Sequence, residues 1–153
     1  MKTAAVANPR SASGKTGRRW PQIAAALAAR LGPVETQFTE QPGHAIALTR
    51  DLLEQGYERI IAVGGDGTIN EVTNGFLRDD QPVRPGACLG ILPLGTGGDF
   101  RRTLGVPSDF REALEMLAAG VVGNHVPQFC PLTTVAPQRA MARLQQVDVH
   151  KPM

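Results

Sequence analysis

The chain has 153 residues, 42% apolar and 20% charged, and a net charge of +2. That length suits one domain, in which roughly 70% of the unfolded chain's surface can be buried without disulfide staples. Lys and Arg are scattered and aromatics are few, so no nucleic-acid partner is expected, and no apolar stretch approaches the roughly 20 residues of a membrane span.

The two cysteines, Cys88 and Cys130, have no CxxC spacing and offer neither a metal site nor a disulfide framework. His44, His125 and His150 are far apart and form no metal site or catalytic triad. Met1 is followed almost at once by an apolar strand, leaving no room for a signal peptide. The expected compartment is the cytoplasm.

In chain order, Thr3 to Ala7 reads as a first strand, stopped at Asn8-Pro9 because proline cannot donate to a ladder. Arg10 to Gly17 is a small-residue loop. Trp20, Ile23, Leu27 and Leu31 recur at helical spacing, and Gly32-Pro33 ends that helix. Val34 to Phe38 alternates apolar with polar, as a strand does, and Thr39 to Gly43 is a turn. Ala45, Leu48 and Leu52 mark a second helix, stopped near Gly56. A third strand, Arg59 to Val63, runs into Gly64-Gly65-Asp66-Gly67 and then a helix from about Thr68 to Leu77. There Thr68 and Glu71 sit at capping-box spacing. Asp79 to Gly86 is a loop, and Cys88 to Leu92 a fourth strand, which meets a second glycine turn, Gly95-Thr96-Gly97-Gly98-Asp99-Phe100. A short helical segment runs to about Leu104. Ser108 then caps a last helix with Phe110, Ala113, Leu114, Leu117 and Ala118 on one face. From Gly120 the pattern decays into a tail with one short helix at about Gln138 to Gln146.

This rhythm of strand and helix predicts an α/β fold of three layers, with helices on both faces of a mainly parallel sheet. Ligands in such folds bind at the carboxyl ends of the strands. Asn8, Thr39, Gly64 to Thr68 and Gly95 to Gly98 all fall there. An apolar strand, a glycine turn and a capped helix form the usual phosphate cradle, and the glycines permit backbone angles closed to other residues. Asp66 would be repelled by bare phosphate, so it is read either as a cap for its helix or as a carboxylate that meets a cation or an incoming hydroxyl. Asn8 is read as a nucleotide contact or as an Asx turn with Pro9. Ser13-Gly14-Lys15-Thr16 looks like the end of a P-loop, but Pro9 stands where that motif needs its first glycine.

As a set, Asn8-Pro9 with Ser13-Gly14, Thr39 with Gly43-His44-Ala45, Gly64 to Glu71, and Leu92 to Phe100 resemble the diacylglycerol kinase catalytic-domain family, which includes bacterial lipid kinases and the sphingosine and ceramide kinases. The likeness spans about Lys2 to Ala119. It implies the fold of the NAD kinase/diacylglycerol kinase N-terminal domain over residues 1–120. It implies ATP and Mg²⁺ as cofactors and a lipid hydroxyl, of diacylglycerol or sphingoid type, as acceptor. Asn8, Thr39, Gly64, Gly65, Asp66, Gly67, Thr68, Ile69, Asn70, Gly95 and Thr96 would hold the nucleotide, with Asp66 in the chemistry. Peripheral membrane contact and self-association follow as expectations. The resemblance also implies a second, β-rich lipid-binding domain; residues 121–153 read instead as an irregular tail, and the lone chain is expected to show little activity. The alternatives are a nucleotide-binding remnant and an NAD kinase-like enzyme.

Overall fold

The computed structural model describes residues 1–95, 98–119, 121–122 and 126–127. Thr96 and Gly97, the cysteine and the histidines beyond residue 119, and the short helix expected near residues 138–146 lie outside the described residues.

The elements follow as β1 (Thr3–Ala7), α1 (Lys15–Arg18), α2 (Trp20–Leu31), β2 (Val34–Phe38), α3 (His44–Glu54), β3 (Arg59–Gly64) and α4 (Asp66–Gly75). Then come β4 (Leu77–Arg78), β5 (Gln81–Pro82), β6 (Cys88–Pro93), α5 (Asp99–Leu104), α6 (Phe110–Ala119), β7 (Val121–Val122) and β8 (Val126–Pro127). Four strands make one parallel sheet in the order β2-β1-β3-β6. β1 is central and every residue in it is buried, whereas β2 lies at an edge and has no buried residue; its alternation breaks at the end, where Gln37 is half-buried and Phe38 exposed.

Strand periodicity sorts the core into two layers. Ala4, Val6, Ile60, Ala62 and Ile91 face Ala45, Leu52 and Leu53 of α3 and Ile69 and Val72 of α4. Ala5, Ala7, Ile61, Val63 and Leu92 face Ile23 and Leu27 of α2 and Ala113, Leu114 and Leu117 of α6. This is the three-layer parallel fold that the sequence predicts. The order reverses between β1 and β3, which places a topological switch point at the carboxyl ends of those strands. Among the described residues, no helix is long and apolar enough to cross a membrane.

Several local expectations are corrected. The loop after β1 contains a turn of helix, α1. The loop at 79–86 opens with a tight hairpin, β4–β5, whose Asp79 and Asp80 adopt φ of 50° and 59°. α4 begins at Asp66, two residues before Thr68, and the capping box does not form: Gly65 is the N-cap, with no side-chain cap bond. Glu71 instead reaches the amino end of α3. Ser108 does not cap α6; Asp109 Oδ1 accepts from the Arg111 and Glu112 N–H groups at 2.9 and 3.1 Å.

Candidate functional site at the carboxyl edge of the sheet

Two glycine turns meet where β3 and β6 end. The Leu94 N–H donates to Gly64 O at 2.8 Å, which locks the strand ends together. The Gly98 N–H donates to Asp66 Oδ2 at 3.3 Å, so the carboxylate bridges the two turns. A Cβ on Gly95 would sit 3.1 Å from Gly65 Cα, so the second turn runs close against the backbone of the first. Between them lies a cavity of about 290 Å³, lined in part by Gly64, Gly65, Asp66, Gly98, Arg101 and Arg102.

The glycines of the first turn serve space rather than left-handed geometry. Gly64, Gly65 and Gly67 are absent from the positive-φ positions, and Gly65 sits at φ −83°, ψ −174°. A Cβ on Gly64 would lie 2.8 Å from Thr68 Oγ1, whereas one on Gly65 or Gly67 would meet nothing within 4 Å. Gly98 is the exception, at φ 118°. The amino end of α4 therefore presents its first-turn N–H groups with no side-chain cap, beside open space. That is a donor set suited to an anion, reinforced by the helix dipole. Of the two arginines, Arg101 is half-buried and donates to Val106 O at 3.0 Å, and Arg102 pairs with Asp99 at 2.7 Å. Their place just after the second glycine turn is the sequence signal for them.

The remaining predicted residues divide. Asn8 forms the Asx turn, its Oδ1 accepting from the Arg10 N–H at 2.9 Å, while its own N–H binds Val63 O at 3.0 Å. Thr39 is fixed by its N–H to Ala7 O at 2.9 Å. Thr39, Pro9 and Phe38 border a second, mostly apolar cavity of about 430 Å³. Phe38 is 42% exposed and packs edge-on against Trp20, with ring centroids 5.2 Å apart. The gap between β2 and β1 and the gap between β3 and β6 are two strand spacings apart, about 10 Å, a span that a nucleotide can bridge. Ile69 stands aside: its side chain is fully buried in the core and its N–H is taken by Gly65 O. Thr68 is buried against Gly64. Asn70 Oδ1 accepts from Asn74 Nδ2 at 2.9 Å.

The Ser13-Gly14-Lys15-Thr16 loop is not an anion nest. The N–H groups of Gly14, Lys15, Thr16 and Gly17 are all taken by backbone oxygens of residues 9–12. Among the described residues no three His, Cys, Asp or Glu gather as metal ligands. Asp66 could be one carboxylate ligand to a cation that arrives with phosphate, the usual arrangement for Mg²⁺. At the opposite edge of the sheet, burial pushes the Arg59 guanidinium below its ordinary value and Cys88 partly opposes it.

The diacylglycerol kinase catalytic domain matches residues 2–125. A diacylglycerol kinase of Staphylococcus saprophyticus is 38% identical over 113 residues, which is 74% of this chain and 36% of the relative. One of Staphylococcus aureus (strain MRSA252) is 35% identical over 113 residues, 74% of this chain and 35% of the relative. The crystal structure of a diacylglycerol kinase from Bacillus anthracis superposes with a TM-score of 0.64 at 33% identity, over 77% of this chain and 39% of that one. The chain thus spans about a third of the length of these curated relatives. With the glycine turns, the parallel sheet and the match from residue 2 to residue 125 in agreement, the chain belongs to the diacylglycerol kinase catalytic-domain family.

Proposed function

We propose that this chain is the nucleotide-binding part of an ATP-dependent lipid kinase. The observation that carries the reading is the junction of the two glycine turns, where Asp66 is tied to Gly98 beside an uncapped helix terminus and a cavity bordered by Gly64, Gly65, Gly95 and Gly98. The N–H groups at the start of α4 bind the phosphates, and Arg101 and Arg102 add positive charge on the far wall. The apolar cavity beside Thr39 and Phe38 takes the base. Mg²⁺ bound with the nucleotide neutralises phosphate charge. Asp66 stands at the reacting end, where its carboxylate orients the acceptor hydroxyl or shares the cation. Catalysis of this type is mainly positioning and charge stabilisation. The acceptor is a lipid hydroxyl, of diacylglycerol or sphingoid type, reached from the cytoplasm by peripheral contact with a membrane.

Thermal unfolding with competing nucleotides tests this reading. Mg-ATP at about 100 times its Kd adds roughly 2.7 kcal/mol, which for this size raises Tm by about 5–11 °C. NAD at the same concentration leaves Tm unchanged. Stabilisation by NAD as well as by ATP would replace the lipid kinase with an NAD kinase-like enzyme. No response to either at millimolar concentration would refute the phosphate cradle.

A further inference from the structure

We infer that Glu71 is a positioning residue that holds the Thr39 loop and the phosphate turn in register, so that one nucleotide can engage both. The inference rests on the nucleotide reading above. It starts from a helix that cannot cap itself: α3 has Gly43 at its N-cap, at φ 84°, with no side chain to bind the first N–H groups. Glu71, on the next helix, supplies the cap. Its Oε1 accepts from the Gly43 N–H at 2.8 Å and its Oε2 from the Ala45 N–H at 3.3 Å. A carboxylate at a helix amino terminus also meets the favourable end of the dipole.

The segment from Thr39 to Ala45 is then held from three sides. The Thr39 N–H binds Ala7 O of β1 at 2.9 Å. The Glu40 N–H donates to His44 Nδ1 at 3.1 Å. Glu71 adds the third tie, to α4, whose first residue is Asp66. One turn further along α4, Gly75 is pressed on α3, since a Cβ there would lie 2.5 Å from Thr49 Cβ and 2.9 Å from Ile46 O. Glu71 and Gly75 therefore tie the carboxyl half of α4 to the amino half of α3, and Glu71 is the tie nearer the site. Without it the β2–α3 loop is fixed to β1 and to itself but not to the phosphate turn.

Two ligands separate positioning from folding. Mg-ATP spans the Thr39 loop and the phosphate turn; inorganic tripolyphosphate with Mg²⁺ touches only the turn. Glu71→Ala weakens ATP by about tenfold or more, the scale of one charge-assisted hydrogen bond, and changes tripolyphosphate affinity by less than about twofold. Glu71→Gln keeps one acceptor and falls between the parent and Glu71→Ala. Removing a carboxylate near a polyanion favours the polyanion, so a fall in ATP affinity reports lost hydrogen bonds and not lost charge. Amide exchange gives an independent readout: the Gly43 and Ala45 N–H groups lose protection in Glu71→Ala, and Ala45 does so in Glu71→Gln. Equal losses for both ligands would make Glu71 merely structural, and parental ATP affinity with unprotected amides would show that the clamp does not serve binding; either result overturns the inference. Parental protection of both amides in Glu71→Ala overturns the clamp itself. A parent chain that binds neither ligand overturns the nucleotide reading, and this inference with it.

Discussion

Gly65→Ser sets stability against binding at a single atom. Gly65 is the N-cap of α4, at φ −83° and ψ −174°, extended backbone that serine adopts freely. A Cβ there meets nothing within 4 Å. Serine is the better N-cap by a few tenths of a kcal/mol, so the unliganded variant melts at the parent's Tm or about 1 °C above it. The new Oγ, however, accepts from the N–H groups proposed to bind phosphate, and its atoms enter the cavity. Against a parental shift of about 5–11 °C with saturating Mg-ATP, the variant shifts by less than about 2 °C. Differential scanning fluorimetry of both proteins, with and without nucleotide, reads both effects. A full ATP shift in the variant would mean that α4's amino end does not face the phosphates. A fall of more than about 5 °C in the unliganded Tm would mean that the space beside Gly65 is not open.

Gly64→Ala should lower both stability and ATP binding, because its Cβ would lie 2.8 Å from Thr68 Oγ1 and displace the first turn of α4; overpacking of about 1–3 kcal/mol lowers Tm by about 2–12 °C. Gly75→Ala carries a similar cost, with backbone Ile46 O 2.9 Å from the added atom, but lies at the far end of α4 and keeps the ATP shift. Equal effects of these two variants on nucleotide binding would refute the assignment of the site to one end of the helix. Asp66→Asn keeps an acceptor for the Gly98 N–H and removes charge beside the phosphates, so its ATP shift stays within about 2 °C of the parent's. Whatever transfer of labelled phosphate to diacylglycerol the parent shows falls by about 10²–10⁴-fold in the variant, and transfer equal to the parent's would remove Asp66 from the chemistry.

Periodicity makes the longer strands and helices legible in the sequence, though not the short α1 or the β4–β5 hairpin. Thr3–Ala7 and Val34–Phe38 fall where their patterns place them, and the α2 stripe of Ile23 and Leu27 is buried as its spacing requires. Caps were less legible, because several side chains can reach a helix end and only packing selects one. Thr68 and Glu71 have capping-box spacing, yet α4 starts two residues early and Glu71 is claimed by α3. Asp109 took the place predicted for Ser108 in the same way.

The sequence by itself determined the layers and the edge. Alternation along β1 and β3 assigns each residue to a face, and glycine at a strand end marks where backbone must stay bare. The tertiary structure decided what those glycines are for. Positive φ is not their reason at Gly64, Gly65 and Gly67: contact with Thr68 is the reason at Gly64, while a Cβ on Gly65 or Gly67 would enter open space. It also decided that Asp66 reaches Gly98, 32 residues away, and that Glu71 reaches Gly43, 28 residues away. Such pairings depend on the order of strands in the sheet, which local propensity does not encode, because propensity acts over a few residues and strand order is set by the whole core.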